Sequence, residues 1–238
     1  MMNAAGTSQG SSQHPAKWQS QQIAQRIEQL ELPEHVRLVA VSKTFPTAAI
    51  RAAYAAGLRD FGENKVQEAI AKQAELADLT DITWHFIGHL QANKVRKALQ
   101  HFDWIHSVTS LKLARRLDHI AAELSRSPIC CLQVKLLDDP NKYGWSESEL
   151  SQALSELAQL SHLKLEGIMA IPPYGLMQTE AESFFNRAYA LGQTLANQPE
   201  NSLPIRFFSM GMSQDFALAI AAGANVIRLG TTLFGERN

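Results

Sequence analysis

Lys43 is the side chain best placed for chemistry in this sequence. It closes the run over residues 36–45 (VRLVAVSKTF), where Val36, Leu38, Val39, Ala40 and Val41 read as a strand buried on both faces of a parallel sheet. An ammonium beside apolar walls must neutralise, pair or form a covalent bond. A desolvated lysine loses its proton more easily, which suits a Schiff-base amine. Taken alone, the position reads more readily as a lysine snorkelling into solvent, since strand-end lysines are common and Schiff bases rare, so the company it keeps must decide. Two other groups offer that company. Residues 209–215 (SMGMSQD) join a predicted strand to a predicted helix, with Gly211 in the turn and Ser213 as N-cap. The first free amides of such a helix seat a phosphate, although Ser213 also reads as a plain cap. Residues 228–231 (RLGT) end another predicted strand and add the Gly230 amide and the Thr231 hydroxyl. Arg228 there can meet either a buried carboxylate or a ligand.

These residues need a frame that gathers strand ends. Strands are expected over 36–43, 58–62, 82–88, 104–108, 129–136, 165–171, 205–210 and 225–230. Helical patterns cover 16–30, 47–56, 66–77, 91–99, 110–125, 179–196 and 213–223, with one more capped at Ser146. Eight strands alternating with helices and no hairpin turns predict a parallel sheet. At 238 residues, eight such units predict a single (β/α)8 barrel over 16–238, with a doubly wound sheet as the alternative. Barrel sites lie at the C-terminal strand ends, where Lys43, Asn64, His85, Ser213, Arg228, Gly230 and Thr231 all fall. Only eight residues follow Gly230, so the N-terminal helix is expected to complete the outer ring.

Composition removes several classes. Lys and Arg number 22 against 23 Asp and Glu, which gives no bulk attraction to nucleic acid or an anionic membrane. No apolar run approaches the roughly 20 residues that span a bilayer. Residues 1–15 are polar and rich in Gly, Ser and Gln, and read as a disordered tail without a signal-peptide core. Cys130 and Cys131 point to opposite faces of one predicted strand, as buried thiols in a reducing cytoplasm. His85 and His89 run from strand into loop, so no metal site is expected. Lys94, Arg96 and Lys97 read as a solvated helix face.

A strand-one lysine facing a phosphate seat across a barrel mouth is what pyridoxal phosphate requires. Its aldehyde needs an amine, its phosphate needs amides and hydroxyls, and its ring nitrogen needs a partner. An arginine cannot accept a proton, so Arg228 would keep that nitrogen unprotonated and the ring a weaker electron sink. The blocks VAVSKTFP, FGENKVQE, WHFIGHLQANK, IMAIPP, FSMGMSQD and VIRLGTTLFGER together resemble the pyridoxal phosphate homeostasis protein family (the YggS/PROSC type) over residues 36–237. The resemblance implies an alanine-racemase-like barrel of the type III fold without the C-terminal β-domain, with Lys43 bound to pyridoxal 5′-phosphate as a Schiff base. It further implies phosphate held by Ser213, Gly230 and Thr231, Arg228 facing the pyridine nitrogen, and Asn64 and His85 lining the ring side. The loop DDPNKYGW matches no motif and leaves the role of Lys142 open.

Two functions compete. One is a cytoplasmic, monomeric protein that buffers pyridoxal phosphate and passes it to apo-enzymes with little or no catalysis. The other is an amino-acid racemase, which needs a second acid/base on the face of the cofactor opposite the lysine. In the racemases of similar fold, that group is a tyrosine from an extra β-domain across a dimer interface. The chain is expected to lack such a domain, and its four tyrosines lie on predicted helices (Tyr54, Tyr189) or loops (Tyr143, Tyr174). Either loop tyrosine could approach the ring. The missing base favours the carrier.

Overall fold

Apolar strands that cannot expose either face to water close on themselves here. The computed structural model describes residues 15–139, 142–199 and 202–236. The expected tail falls outside these residues, save for Pro15, which already begins a helix. The chain runs α1 (Pro15–Glu28), β1 (Arg37–Val41), α2 (Thr47–Ala55), β2 (Asp60–Glu63), α3 (Val66–Glu75) and β3 (Thr83–Phe86). A 3-10 turn (Ala92–Lys94) leads into α4 (Val95–His101), then β4 (Trp104–Val108), α5 (Leu111–Glu123), β5 (Ile129–Val134) and α6 (Glu147–Leu157). The rest is β6 (Lys164–Ala170), α7 (Gln178–Ala196), β7 (Phe207–Ser209), α8 (Phe216–Ala221), β8 (Val226–Leu229) and α9 (Thr231–Phe234). The strands form a closed parallel barrel in sequence order, β8 pairing with β1.

Alternation along the strands separates two interiors. Leu38, Ala40, Phe86, Ile105, Cys130, Ile168, Phe208 and Ile227 face outward into the main core shared with the helices. Trp104, Cys131 and Met169 face inward and form a small apolar plug with Phe207. The two thiols therefore lie on opposite sides of the barrel wall, both fully buried. α1 packs on α2 and α9 and completes the outer ring; Arg26 on α1 donates to the Leu233 carbonyl at 2.6 Å.

Several boundaries differ from expectation. β1 ends at Val41, so Lys43 stands in the turn beyond it rather than on the strand. The helix expected from Ser213 begins only at Phe216, with Asp215 as its N-cap. The Asp215 carboxylate accepts the Met212 N–H at 2.6 Å, a local turn that competes with helix initiation. Gly211 precedes it at φ +90°, and a Cβ there would stand 2.8 Å from Ala219.

Close helix–strand approach is equally tight at Gly192 on α7, where an added Cβ would lie 2.4 Å from a ring carbon of Phe208. Gly192→Ala is expected to destabilise the barrel by about 1–3 kcal/mol through overpacking. Equilibrium denaturation measures it, and an unchanged midpoint would show that Phe208 yields freely.

Candidate functional site

Closure of the barrel brings the ends of β1, β7 and β8 side by side. A cavity of about 880 Å³ opens there, and its walls include Lys43, Ser213, Arg228, Gly230 and Thr231. Five of the seven residues expected from the sequence thus share one space. Gly230 and Thr231 follow β8, which pairs with β1, and Ser213 follows β7, one strand further round. The ideal Cβ position of Gly230 is 3.5 Å from Val41.

Lys43 is half-buried, and the chain on both sides of it is tied down. Ser42 donates through Oγ to Glu63 at 2.6 Å. Lys72 on α3 is buried and reaches the Ser42 carbonyl at 2.9 Å and the Glu63 carboxylate at 2.8 Å. Glu68, one helical turn earlier, pairs with Lys72 at 2.8 Å and accepts the Thr44 N–H at 2.7 Å. Thr44 stands at φ +69°, a costly conformation for a β-branched residue. Burial raises the Glu63 carboxyl above its usual range despite Lys72 and Ser42, and its Oε2 has no partner. The helical i,i+4 spacing of Glu68 and Lys72 was legible in sequence; their tie to Ser42 and Thr44 was not.

Ser213 lies in the β7–α8 loop and is no helix cap. Its Oγ accepts the Thr232 N–H at 3.4 Å, joining the loops after β7 and β8. Phe45 and Phe234, with ring centres 4.9 Å apart, join the β1 loop to the same place. Arg228 is 3 % exposed. No carboxylate pairs with it among the described residues: it donates to the Ser209 carbonyl and Oγ, both at 2.5 Å, and to the Ala170 carbonyl at 3.2 Å. Burial lowers its pKa to about 10, opposed by Cys131 and Asp215. A buried guanidinium bound only to neutral acceptors fits a place beside a ligand atom that accepts.

The two remaining sequence candidates stand elsewhere. His85 is fully buried inside the barrel, its Nε2 2.8 Å from Asp60 and its Nδ1 2.9 Å from His106, and it does not line the cavity. Position 85 faces inward on β3, and both of its ring nitrogens already have partners. Asn64 follows β2 directly and is not among the cavity's walls either. Its Oδ1 is nevertheless buried without a partner, and a Cβ at Gly88 would stand 2.3 Å from its carbonyl oxygen. Lys142, left open by the sequence, does line the cavity. It donates to the Ile171 carbonyl at 3.1 Å and to that of Pro172, linking the loops after β5 and β6. Tyr174 joins the rim, 95 % exposed. Tyr143 instead stacks on His89 at 3.8 Å, Tyr54 donates to Asp81, and Tyr189 packs on Phe208.

The donor set fits pyridoxal phosphate: a held primary amine, two hydroxyls and loop amides on adjoining strand ends, and a buried cation short of acceptors. Comparison with known proteins agrees. Residues 19–238 match the alanine racemase N-terminal domain family. A pyridoxal phosphate homeostasis protein of Synechocystis is 51 % identical over 87 % of this chain and 94 % of its own. PipY of Synechococcus elongatus, solved with PLP bound, superposes with a TM-score of 0.86 at 55 % identity, over 90 % of this chain and 100 % of its own. An alanine racemase of Clostridium difficile shares the fold at TM-score 0.71 and 17 % identity, over 92 % of this chain and 60 % of its own.

The Lys72 tie can be measured directly. Lys72→Met leaves the Glu63 carboxylate buried without its cation, and is expected to cost about 3–5 kcal/mol in chemical denaturation. The double variant Glu63→Gln/Lys72→Met should recover much of that loss. A single variant as stable as the parent would show that the pair does not hold the Lys43 turn.

Proposed function

The chain belongs to the alanine racemase N-terminal domain family and, within it, to the pyridoxal phosphate homeostasis proteins, and on that premise we propose that it binds pyridoxal 5′-phosphate at the mouth of the barrel and holds it for release. One observation carries the reading: Lys43, Ser213, Arg228, Gly230 and Thr231 line a single cavity. The cofactor supplies an aldehyde that condenses with a primary amine, a phosphate and a ring nitrogen that accepts hydrogen bonds. Lys43 presents the amine from a turn held by Glu63, Glu68 and Lys72. The Ser213 and Thr231 hydroxyls and the Gly230 amide hold the phosphate. Arg228 donates toward the ring nitrogen and, having no acceptor site, leaves it unprotonated. Asn64 offers its unpartnered amide oxygen at the neighbouring strand end.

The carrier role is favoured over a racemase by what stands around the cavity. A second acid/base must be held firmly against the face away from the lysine. Tyr174 is the one tyrosine on the wall among the described residues, and it is almost wholly exposed. An open site with a held amine and, among the described residues, no firmly held tyrosine on its wall suits uptake and release better than turnover. Apo-enzymes that use pyridoxal phosphate are the partners such a carrier would meet, in the cytoplasm. The buried thiols suit that setting: burial pushes Cys131 up to about 12, which keeps it inert.

The purified protein incubated with pyridoxal 5′-phosphate should take on a visible absorbance band, absent in Lys43→Ala at unchanged far-UV circular dichroism. An unaltered band in that variant would remove Lys43 from the site. Ser213→Ala and Thr231→Val should each weaken retention by about 1–3 kcal/mol, as loss of a hydrogen bond to a charged group does. Mixing the loaded protein with an apo-enzyme should restore activity faster than free diffusion of released cofactor allows. Racemisation of alanine at ordinary enzymatic rates would instead establish the second function.

A further inference from the structure

We infer that Asp60, at the end of the barrel far from the cavity, is a positioning residue for Arg228, acting through a one-way chain of hydrogen bonds over His85, His106 and Ser209. Asp60 opens β2 at the N-terminal end of the barrel, where Arg37 of β1 donates to its Oδ1 at 2.7 Å. The same oxygen lies 2.8 Å from His85 Nε2. His85 Nδ1 is 2.9 Å from His106 Nε2, His106 Nδ1 is 2.8 Å from Ser209 Oγ, and that oxygen accepts from Arg228 at 2.5 Å. His85, His106, Ser209 and Arg228 are all buried. Trp104 lies along the chain, stacked on His85 at 5.1 Å and 5.6 Å from His106.

The direction of this chain follows from Asp60. Burial alone would raise its carboxyl, yet the hydrogen bond to His85 and the nearby Arg37 hold it below the usual range. It is therefore ionised and can only accept. Burial keeps both histidines neutral, His106 more strongly so because His85 and Arg228 adjoin it. A neutral imidazole has one donor and one acceptor. His85 must then donate from Nε2 and accept at Nδ1. His106 repeats that pattern, so Ser209 spends its one proton on His106. Both lone pairs of Ser209 Oγ are left for Arg228, and bonds aligned this way polarise one another. Arg228 thereby feels a carboxylate that it never touches. With the chain reversed, Ser209 would receive the protons of His106 and Arg228 together, and its own proton would need a third partner.

The polarity stands without a ligand; the consequence for binding rests on reading the cavity as a pyridoxal phosphate site. In the cofactor-free protein, long-range ¹H–¹⁵N NMR at neutral pH should show His85 and His106 each as the neutral Nε2–H tautomer. Either ring found as Nδ1–H, or doubly protonated, overturns the inference without any variant. In Asp60→Ala, His106 should pass to a mixture of tautomers. Bound pyridoxal 5′-phosphate should shift its absorbance maximum and dissociate about tenfold more readily, the lower end of what losing an outer hydrogen-bond partner costs at metal sites. A folded Asp60→Ala protein with His106, spectrum and retention all unchanged would overturn the positioning role and leave the cofactor site intact. Failure of the parent protein to take up the cofactor would overturn the site, while the tautomers still decide the polarity.

Discussion

The pairing of β1 with β8 lays Val39 beside Arg228 and Ala40 beside Leu229, and each feature of the cavity follows from it. Without that last ladder the sheet would be open, and Lys43 would stand seven strands from Gly230 and Thr231. Closure makes the turn after the first strand and the loop after the last into neighbours, and contacts between the loops then hold them. Phe45 meets Phe234, and the Thr232 amide meets Ser213. In a parallel sheet every strand delivers its C-terminal end to the same face, so chemistry gathers there by topology.

Inside the barrel apolar and polar side chains share the space. Trp104, Cys131 and Met169 make one small plug, and His85, His106, Ser209 and Arg228 are buried as well. Polar groups so deeply buried are tolerable only when each finds a partner. The chain from Asp60 to Arg228 supplies those partners in series and begins at the edge of solvent, where the Arg37 side chain is 41 % exposed. That arrangement separates the cation at the cavity from the carboxylate that offsets it. An ion pair at Arg228 itself would satisfy the guanidinium and leave it little to offer a ligand.

The Lys43 turn solves a different problem. A long, flexible amine must be presented in one place, but its neighbour Thr44 sits in a conformation that L side chains avoid. The strain persists because Glu68 and Lys72 on α3 bind the backbone around it, while Glu63 on β2 accepts from the Ser42 hydroxyl and from Lys72. Those groups come from the second βα unit, so the geometry of the amine belongs to the barrel and not to its own loop.

Much was legible from sequence, because strand and helix periodicities are local. The eight strands, their order, the parallel barrel and the candidates Lys43, Ser213, Arg228, Gly230 and Thr231 were all read from apolar runs and the residues that end them. The Ser213 cap was misjudged because an Asp215–Met212 turn competes with the helix at a scale that periodicity does not resolve. That His85 faces the barrel interior was not legible, because the inward face of a strand and its exposed end look alike in one dimension. Asp60 and His106 carried no motif, and Ser209 opened the SMGMSQD stretch with nothing to tie it to either; the three lie on separate strands, His106 and Ser209 103 residues apart. Sequence determined which side chains reach the end of each strand, since that depends on neighbours along the chain. Only the closed barrel decided which of them touch, because hydrogen bonds form between atoms that closure, and not chain order, brings within 3 Å.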